Sequence, residues 1–421
     1  MNLDFQRRID RIVGVFICSL LSLFAPITRG NSVGIKPQKI LIILLSEMGS
    51  LVLAWQMFEN IKREYGNSSI FVLLFEQNRE FLEIMNVVPS GNILTVSNVS
   101  LKRFIIDSLR VVMKMRQIKI DTVLDCELFS RISSIYSFLS GAKIRAGFHP
   151  HTQEGLFRGN FINRPVLYNP YHHISQQFIN LVKAMDSDQV PTIKRPIKKE
   201  DFRTPFITTS QQEMKGYWKR FISDFPQLSE KKIVLLYPGG GLLPIRAWPI
   251  KNFCKVAEDL VQKGYAVGII GMEGDRVLAG QILSHCQSRN CIDLTGYTKS
   301  VRELMIMFHF ASLLITNDGG PGHFAAMTPI PNIIFYGPET PVLYGALNPN
   351  SSSFYILLSC SPCLTAYNHR NSPCNGDNIC LKSISPESVL KKSYEILEKS
   401  NFTGFNHLIN DSYSKGDLFD F

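Results

Sequence analysis

Leu314-Ile-Thr-Asn-Asp-Gly-Gly-Pro-Gly-His323, followed by Phe324-Ala-Ala326, reads as a buried strand that stops at a glycine-rich turn and restarts as a helix. Leu313 to Thr316 are apolar or β-branched, Asp318 can cap, Gly319 and Gly320 permit backbone conformations closed to other residues, and Pro321 suits a first helical turn. A helix beginning there would aim its leading N–H groups and the positive end of its dipole at whatever lies above the strand, which makes an anion site. Alone, the same turn is equally an ordinary strand-to-helix junction with a capping Asp.

Working outward, strands and helices alternate on both sides of this turn. Lys39 to Leu45 is a continuous apolar run of strand length, followed by Ser46-Glu47-Met48-Gly49-Ser50 and a helical pattern through Arg63. Ser69 to Phe75, Asn92 to Val96 and Thr122 to Leu124 are further strands, and Leu101 to Met115 is a helix. Prolines 191, 196 and 205 within a charged stretch mark a linker. The alternation then restarts, with strands at Lys232 to Tyr237, Ala266 to Ile270 and Asn332 to Tyr336 and helices at Lys251 to Lys263, Asp275 to Gln287, Val301 to Phe310 and Pro386 to Glu398. The pattern predicts an α/β chain of two doubly wound, Rossmann-like domains facing across a cleft. The expected division is an apolar and basic N-terminal segment (1–34), an N-terminal domain (35–190), a linker (191–205), a C-terminal domain (206–400) and a tail (401–421).

A hydrophobic content of 45% over 421 residues excludes a disordered chain and exceeds one comfortable core. The excess of 45 Lys and Arg over 35 Asp and Glu gives +10, which favours anionic partners. No basic cluster is interleaved with aromatics as in a nucleic-acid module, so nucleic acid is not expected as a partner. Arg7, Arg8 and Arg11 precede an apolar run from Ile12 to Pro26, shorter than the roughly 18 residues that span a bilayer. A signal peptide, an in-plane membrane anchor and a helix packed on the protein all fit. The first lacks a small-x-small cleavage site, and the basic flank suits docking on an anionic leaflet.

Four ordered motifs carry a resemblance. They are Pro238-Gly-Gly-Gly241, Arg246-Ala-Trp248-Pro249, Ile270-Gly-Met-Glu273-Gly-Asp275 and Asn317-Asp318-Gly-Gly-Pro-Gly322-His323-Phe-Ala-Ala326, with Phe335-Tyr-Gly337-Pro338 after the last. From about Lys39 to the final helix the chain resembles the heptosyltransferases of glycosyltransferase family nine, which have the GT-B fold. The resemblance implies an inverting, metal-independent transfer of a sugar, with ADP-heptose as donor, to a lipid-linked saccharide such as the lipopolysaccharide core. It also implies a cytoplasmic site, peripheral on the inner face of the cytoplasmic membrane, and no catalytic cofactor. Without a metal, the leaving diphosphate must be stabilised by dipoles and cations. The implied donor contacts are Gly240, Glu273, Asp275, Asn317, Asp318, Gly319, Gly320 and His323, with Arg246 as the cation. The competing readings are a capping Asp275, an Arg246 that only stacks on Trp248, and a core His323.

In the family the first turn ends in Asp, the base for the acceptor hydroxyl. Here Ser50 holds that place and cannot accept a proton unaided, so Glu47 becomes the candidate base unless it only caps the next helix. If no base remains, the alternative is an inactive nucleotide-sugar-binding descendant with a binding or assembly role. Asp125-Cys-Glu127-Leu-Phe-Ser130-Arg131 and Arg145-Ala-Gly147-Phe148 also resemble family segments. Arg131 and Arg145 are candidates for acceptor anions, and Arg145 alternatively pairs with Asp125. His149 and His151, in a Pro-bearing loop, read as surface residues. Cys360, Cys363, Cys374 and Cys380 have spacings compatible with a structural four-thiolate zinc site, with paired or separately packed thiols as the alternatives.

Overall fold

The computed structural model describes residues 3–25, 36–45, 47–128, 130–148, 157–187, 205–241, 243–365 and 376–399, together with residues 372 and 374. The expected linker (apart from Pro205), the tail, His149 and His151 lie outside the described residues. The chain parts into two compact units between Pro205 and Phe206. Two later segments, Glu339–Leu347 and Pro362–Asn375, return to the first unit, whereas the composition suggests one uninterrupted second domain.

The first unit is built on β1 (Ile40–Ile43), β2 (Ile70–Phe75), β3 (Ile93–Val96), β4 (Thr122–Asp125), β5 (Ile144–Phe148) and β6 (Arg164–Val166), in the order β3-β2-β1-β4-β5-β6. All neighbours are parallel. The second unit repeats this with β7 (Ile233–Tyr237), β8 (Ala266–Gly271), β9 (Cys291–Thr295), β10 (Leu313–Asn317), β11 (Asn332–Tyr336) and β12 (Ser351–Tyr355), ordered β12-β11-β10-β7-β8-β9. Its pairs are likewise parallel. In both sheets the winding direction reverses between the first and fourth strands, at β1/β4 and β7/β10. Ligands of doubly wound sheets bind outside the carboxyl ends of the strands at such reversals.

Continuous apolarity has its expected cause, because β1, β7, β10 and β11 are buried along their whole length under helices on both faces. In the second unit Trp248 anchors one face. Its ring lies 4.5 Å from that of Phe335 and 5.1 Å from that of Phe253, and its indole N–H donates to the Ile384 carbonyl. Strands β5, β6, β9 and β12 escaped the sequence reading. They are short or polar, as in Ser351-Ser-Ser-Phe-Tyr355, and β12 is only half-buried at the sheet edge.

The N-terminal segment is helical from residue 3 to residue 22, with a π turn at Asp10–Gly14. One face is packed: Gly14 lies on Arg131, and Cys18 is buried with Ile135 and Phe161. Asp10 Oδ1 accepts from the backbone N–H groups of Arg131 and Ile132, capping the helix Arg131–Leu139 from 121 residues away. The other face is exposed, with Phe5, Ile12, Phe16, Leu20 and Leu23 outward. No helix among the described residues is long and apolar enough to cross a membrane.

Candidate active site

The second unit gathers its four glycine-bearing turns at the carboxyl ends of β7, β8, β10 and β11. Asn317 ties two of them together. Its carboxamide oxygen accepts from Trp248 N–H at 2.9 Å, and its Nδ2 donates to the carbonyls of Pro238 and Gly239 at 3.0 and 2.9 Å. The residue is fully buried. Its side chain is therefore engaged in holding the β7 turn and the Arg246-Ala-Trp248 loop against the end of β10. In this arrangement the Asn317 side chain positions the two turns.

Asp318 follows, buried, with its carboxylate 3.6 Å from Nε of Arg246. Since Trp248 lies in the core with Phe253 and Phe335, Arg246 is held by a carboxylate rather than by indole stacking. A guanidinium presents five N–H donors in a planar fork, a geometry that suits phosphate oxygens as well as carboxylates. His323 is buried on the helix Gly320–Ala325. That helix begins with Pro321 in its first turn, where a missing N–H costs nothing.

The glycines of this turn have different jobs from those expected. Gly319 has extended backbone, φ 167°, and a Cβ there would meet only the Asn317 carbonyl at 4.0 Å. Gly322 is the constrained one. A Cβ there would lie 2.8 Å from Ile334 Cδ1 and 3.5 Å from Thr316 Cγ2, so glycine lets the helix rest directly on β10 and β11. Gly322→Ala is expected to lower stability by roughly 1–3 kcal/mol through overpacking, and Gly319→Ala by less than about 0.5 kcal/mol. Urea denaturation of the two variants checks this; equal midpoints would contradict it.

In the β7 turn, Gly240 runs close against the next stretch of backbone, where a Cβ would lie 2.7 Å from Pro244 Cα, and Gly241 takes φ +58°. Asp275 lies beneath, where Oδ2 accepts from Met272 N–H at 2.9 Å. Its Oδ1 is 2.7 Å from where a Gly239 Cβ would sit. The capping reading of Asp275 thus describes its observed bond, while its place beside the β7 turn keeps it at the strand ends. Burial, with the Asp275 carboxylate second, pushes the Tyr237 phenol up to about 12. Glu273 is exposed above Gly296 at the end of β8.

In the first unit, Glu47 sits at the start of the helix Met48–Leu53 with φ +64° and ψ 95°, one of four non-glycine residues with positive φ among those described. Its side chain accepts no capping hydrogen bond from that helix. Capping therefore does not account for it. Such backbone costs on the order of 1–3 kcal/mol and tends to persist at functional sites. Ser50 lies within the same helix, its N–H donating to the Glu47 carbonyl at 2.9 Å.

Across the β1/β4 reversal, Glu127 Oε1 accepts from Leu45 N–H at 2.7 Å. Asp125 pairs with Arg158, whose guanidinium also donates to the Glu127 and Ser130 carbonyls. Arg158 was missed in the sequence, where nothing local marks it: its partner is 33 residues away. The two predicted acceptor arginines are placed otherwise. Arg131 pairs with Asp10 at 3.0 Å and is buried. Arg145 is 2% exposed and donates to the carbonyls of Phe161 and Ala142. The Asp125 carboxylate is engaged by Arg158.

The four cysteines of the expected zinc site are all among the described residues. Cys363 and Cys374 belong to the first unit and Cys360 and Cys380 to the second. Among the described residues no three His, Cys, Asp or Glu side chains converge for a metal. Cys380 is buried on the helix Ile379–Lys382, its sulfur 2.8 Å from where a Gly337 Cβ would be, and Cys363 Sγ lies 3.0 Å from the Ser372 hydroxyl.

Comparison with known proteins bears on this geometry. Residues 109–372 match the family model of glycosyltransferase family 9 (heptosyltransferase). Lipooligosaccharide heptosyltransferase 2 of Haemophilus ducreyi is 25% identical over 311 residues, covering 72% of this chain and 84% of that protein. The solved structure of Escherichia coli ADP-heptose lipopolysaccharide heptosyltransferase II superposes with a TM-score of 0.64 at 20% identity, over 86% of this chain and 99% of that one. A family 9 glycosyltransferase from Veillonella parvula gives 0.65 at 19% identity, over 86% and 98%. The two parallel six-stranded sheets are those of the GT-B fold, and the chain belongs to glycosyltransferase family 9, the heptosyltransferases.

Proposed function

We propose that this glycosyltransferase moves a heptose from ADP-heptose to a lipid-linked saccharide of the lipopolysaccharide-core type, with inversion at the anomeric carbon. The observation that carries the donor assignment is the buried Arg246–Asp318 pair at the β7/β10 reversal, beside the start of the helix Gly320–Ala325. The acceptor hydroxyl attacks the anomeric carbon while its proton passes to the Glu47 carboxylate. The bond from that carbon to the diphosphate oxygen breaks, and ADP leaves with the electron pair. Arg246 and the helix N-terminus meet the charge that develops on the diphosphate. Asp275 and Glu273 at the end of β8 suit the ribose hydroxyls, and Asn317 keeps the turns in register. The relatives are named for acting on lipopolysaccharide or lipooligosaccharide. In this reading the enzyme works at the cytoplasmic face of the inner membrane, which the exposed apolar side of the N-terminal helix suits.

A thermal-shift panel of nucleotide sugars tests the donor half. ADP-heptose is expected to raise the unfolding temperature more than UDP- or GDP-sugars do, and no shift with any nucleotide sugar would contradict the donor assignment. Ser50 at the family's base position favours a second reading, a binder without turnover. That reading predicts the same thermal shift and no product.

A further inference from the structure

We propose that the helix Leu101–Ile118 is a second membrane-contact element, whose outward face lies on an anionic phospholipid surface alongside the N-terminal helix. A surface helix of a soluble protein normally buries one apolar face and shows water a polar one. This helix buries Val111 and Met115 in the sheet core and yet is apolar outward as well. Leu101, Ile105, Leu109 and Met113 recur every fourth residue, with Ile105, Leu109 and Met113 exposed by 50, 62 and 57%. Such spacing draws a continuous ridge about 18 Å long on one side of the helix. Single exposed apolar side chains are ordinary, whereas a contiguous ridge marks a contact surface.

Charge selects the occupant. Every exposed charged residue on this helix is basic. Arg103, Arg110 and Lys114 form a row beside the ridge, Lys102 lies within it, and Arg116 donates to the Leu139 carbonyl. The acid on the helix, Asp107, is partly buried and is engaged by Ser97 N–H and Arg110. An apolar row with a basic flank is how a helix lies in the plane of an anionic interface, the apolar side chains entering the acyl boundary and the long cations reaching headgroups.

The ridge also has a neighbour of the same chemistry. The helix Arg131–Leu139 is joined on one side to the ridge helix, through the Ser108 and Tyr136 hydroxyls at 2.6 Å. On the other side it is joined to the N-terminal helix through Asp10 and Cys18. Arg7, Arg8 and Arg11 are exposed there beside Ile12, Phe16 and Leu20. One weak interfacial element gives marginal, reversible binding, and two give stable attachment.

The test is sedimentation of the full-length protein with vesicles of phosphatidylcholine and phosphatidylglycerol, against vesicles of phosphatidylcholine alone. The wild type is expected to bind the anionic vesicles preferentially, and less at high salt. The variant Ile105→Gln/Leu109→Gln/Met113→Gln should bind at least about tenfold more weakly. Arg103→Gln/Arg110→Gln/Lys114→Gln should lose roughly fivefold per charge removed and most of the salt dependence. Thermal unfolding of each variant, whose altered side chains all face solvent, separates docking from folding. Wild-type vesicle binding by both variants would overturn the proposal. So would a self-association in solution that the ridge variant abolishes while vesicle binding persists, since the ridge would then hold a second copy of the chain. The assay uses no sugar, so its outcome is independent of the donor and acceptor assignments.

Discussion

Glu47→Gln is expected to lower kcat by about 10²–10⁴-fold while leaving the affinity for ADP-heptose unchanged, because the substitution keeps the side chain's shape and removes its capacity to take a proton. The expectation rests on two features of this residue. Its backbone is held at φ +64°, a conformation that disfavours a side chain, and the carboxylate does not cap the helix it introduces. Something other than local helix stability therefore accounts for a carboxylate there. Ser50→Ala should by contrast retain most activity, since that hydroxyl cannot act as the base. Steady-state kinetics with titration calorimetry for the donor checks both; equal loss in the two variants would place the base elsewhere.

The second large effect is expected at Arg246. Arg246→Met removes the cation beside Asp318 and leaves a buried carboxylate that has lost this counter-charge, a change that typically costs about 3–5 kcal/mol of stability. Catalysis should suffer separately. Removing one preorganised group that stabilises developing charge lowers turnover by on the order of 10²–10³-fold. The double variant Arg246→Met/Asp318→Asn separates the two. It is expected to recover most of the lost stability, because both charges of the pair are gone, and none of the lost turnover. Recovery of both would reduce Arg246 to a structural partner of Asp318.

The architecture was legible in the sequence where the cause was local. Apolar runs of strand length became buried parallel strands, and helix Val301–Phe310 and strand Asn332–Tyr336 have the ends that were expected. The glycine turns also stood where the sequence put them. What each residue does there was less legible, because it depends on partners far away in the chain. Asn317 is engaged by groups 69 to 79 residues away. Asp10 caps a helix 121 residues later and pairs with Arg131, a partner that nothing in the Arg131 segment announces. Arg145 looked available for an anion because nothing in its own segment shows that its guanidinium would meet the Phe161 and Ala142 carbonyls. The glycine that packing requires is Gly322 rather than Gly319, a distinction set by Ile334 on the next strand. The cysteine spacing fits a zinc pattern, whereas among the described residues no three potential ligands converge.

In the first unit the buried charges serve the strand ends: Asp125 pairs with Arg158, Arg158 also donates to the Glu127 carbonyl, and the Glu127 carboxylate accepts from Leu45 N–H.

Mass spectrometry of the products formed from ADP-heptose and a heptose-deficient lipopolysaccharide precursor tests the central claim most directly. The account predicts ADP release matched mole for mole by acceptor heavier by one heptose, with both lost in Glu47→Gln. Tight ADP-heptose binding with no ADP released and no acceptor modified would contradict it, and would leave a donor-binding protein in which the turn at Glu47 and Ser50 performs no chemistry.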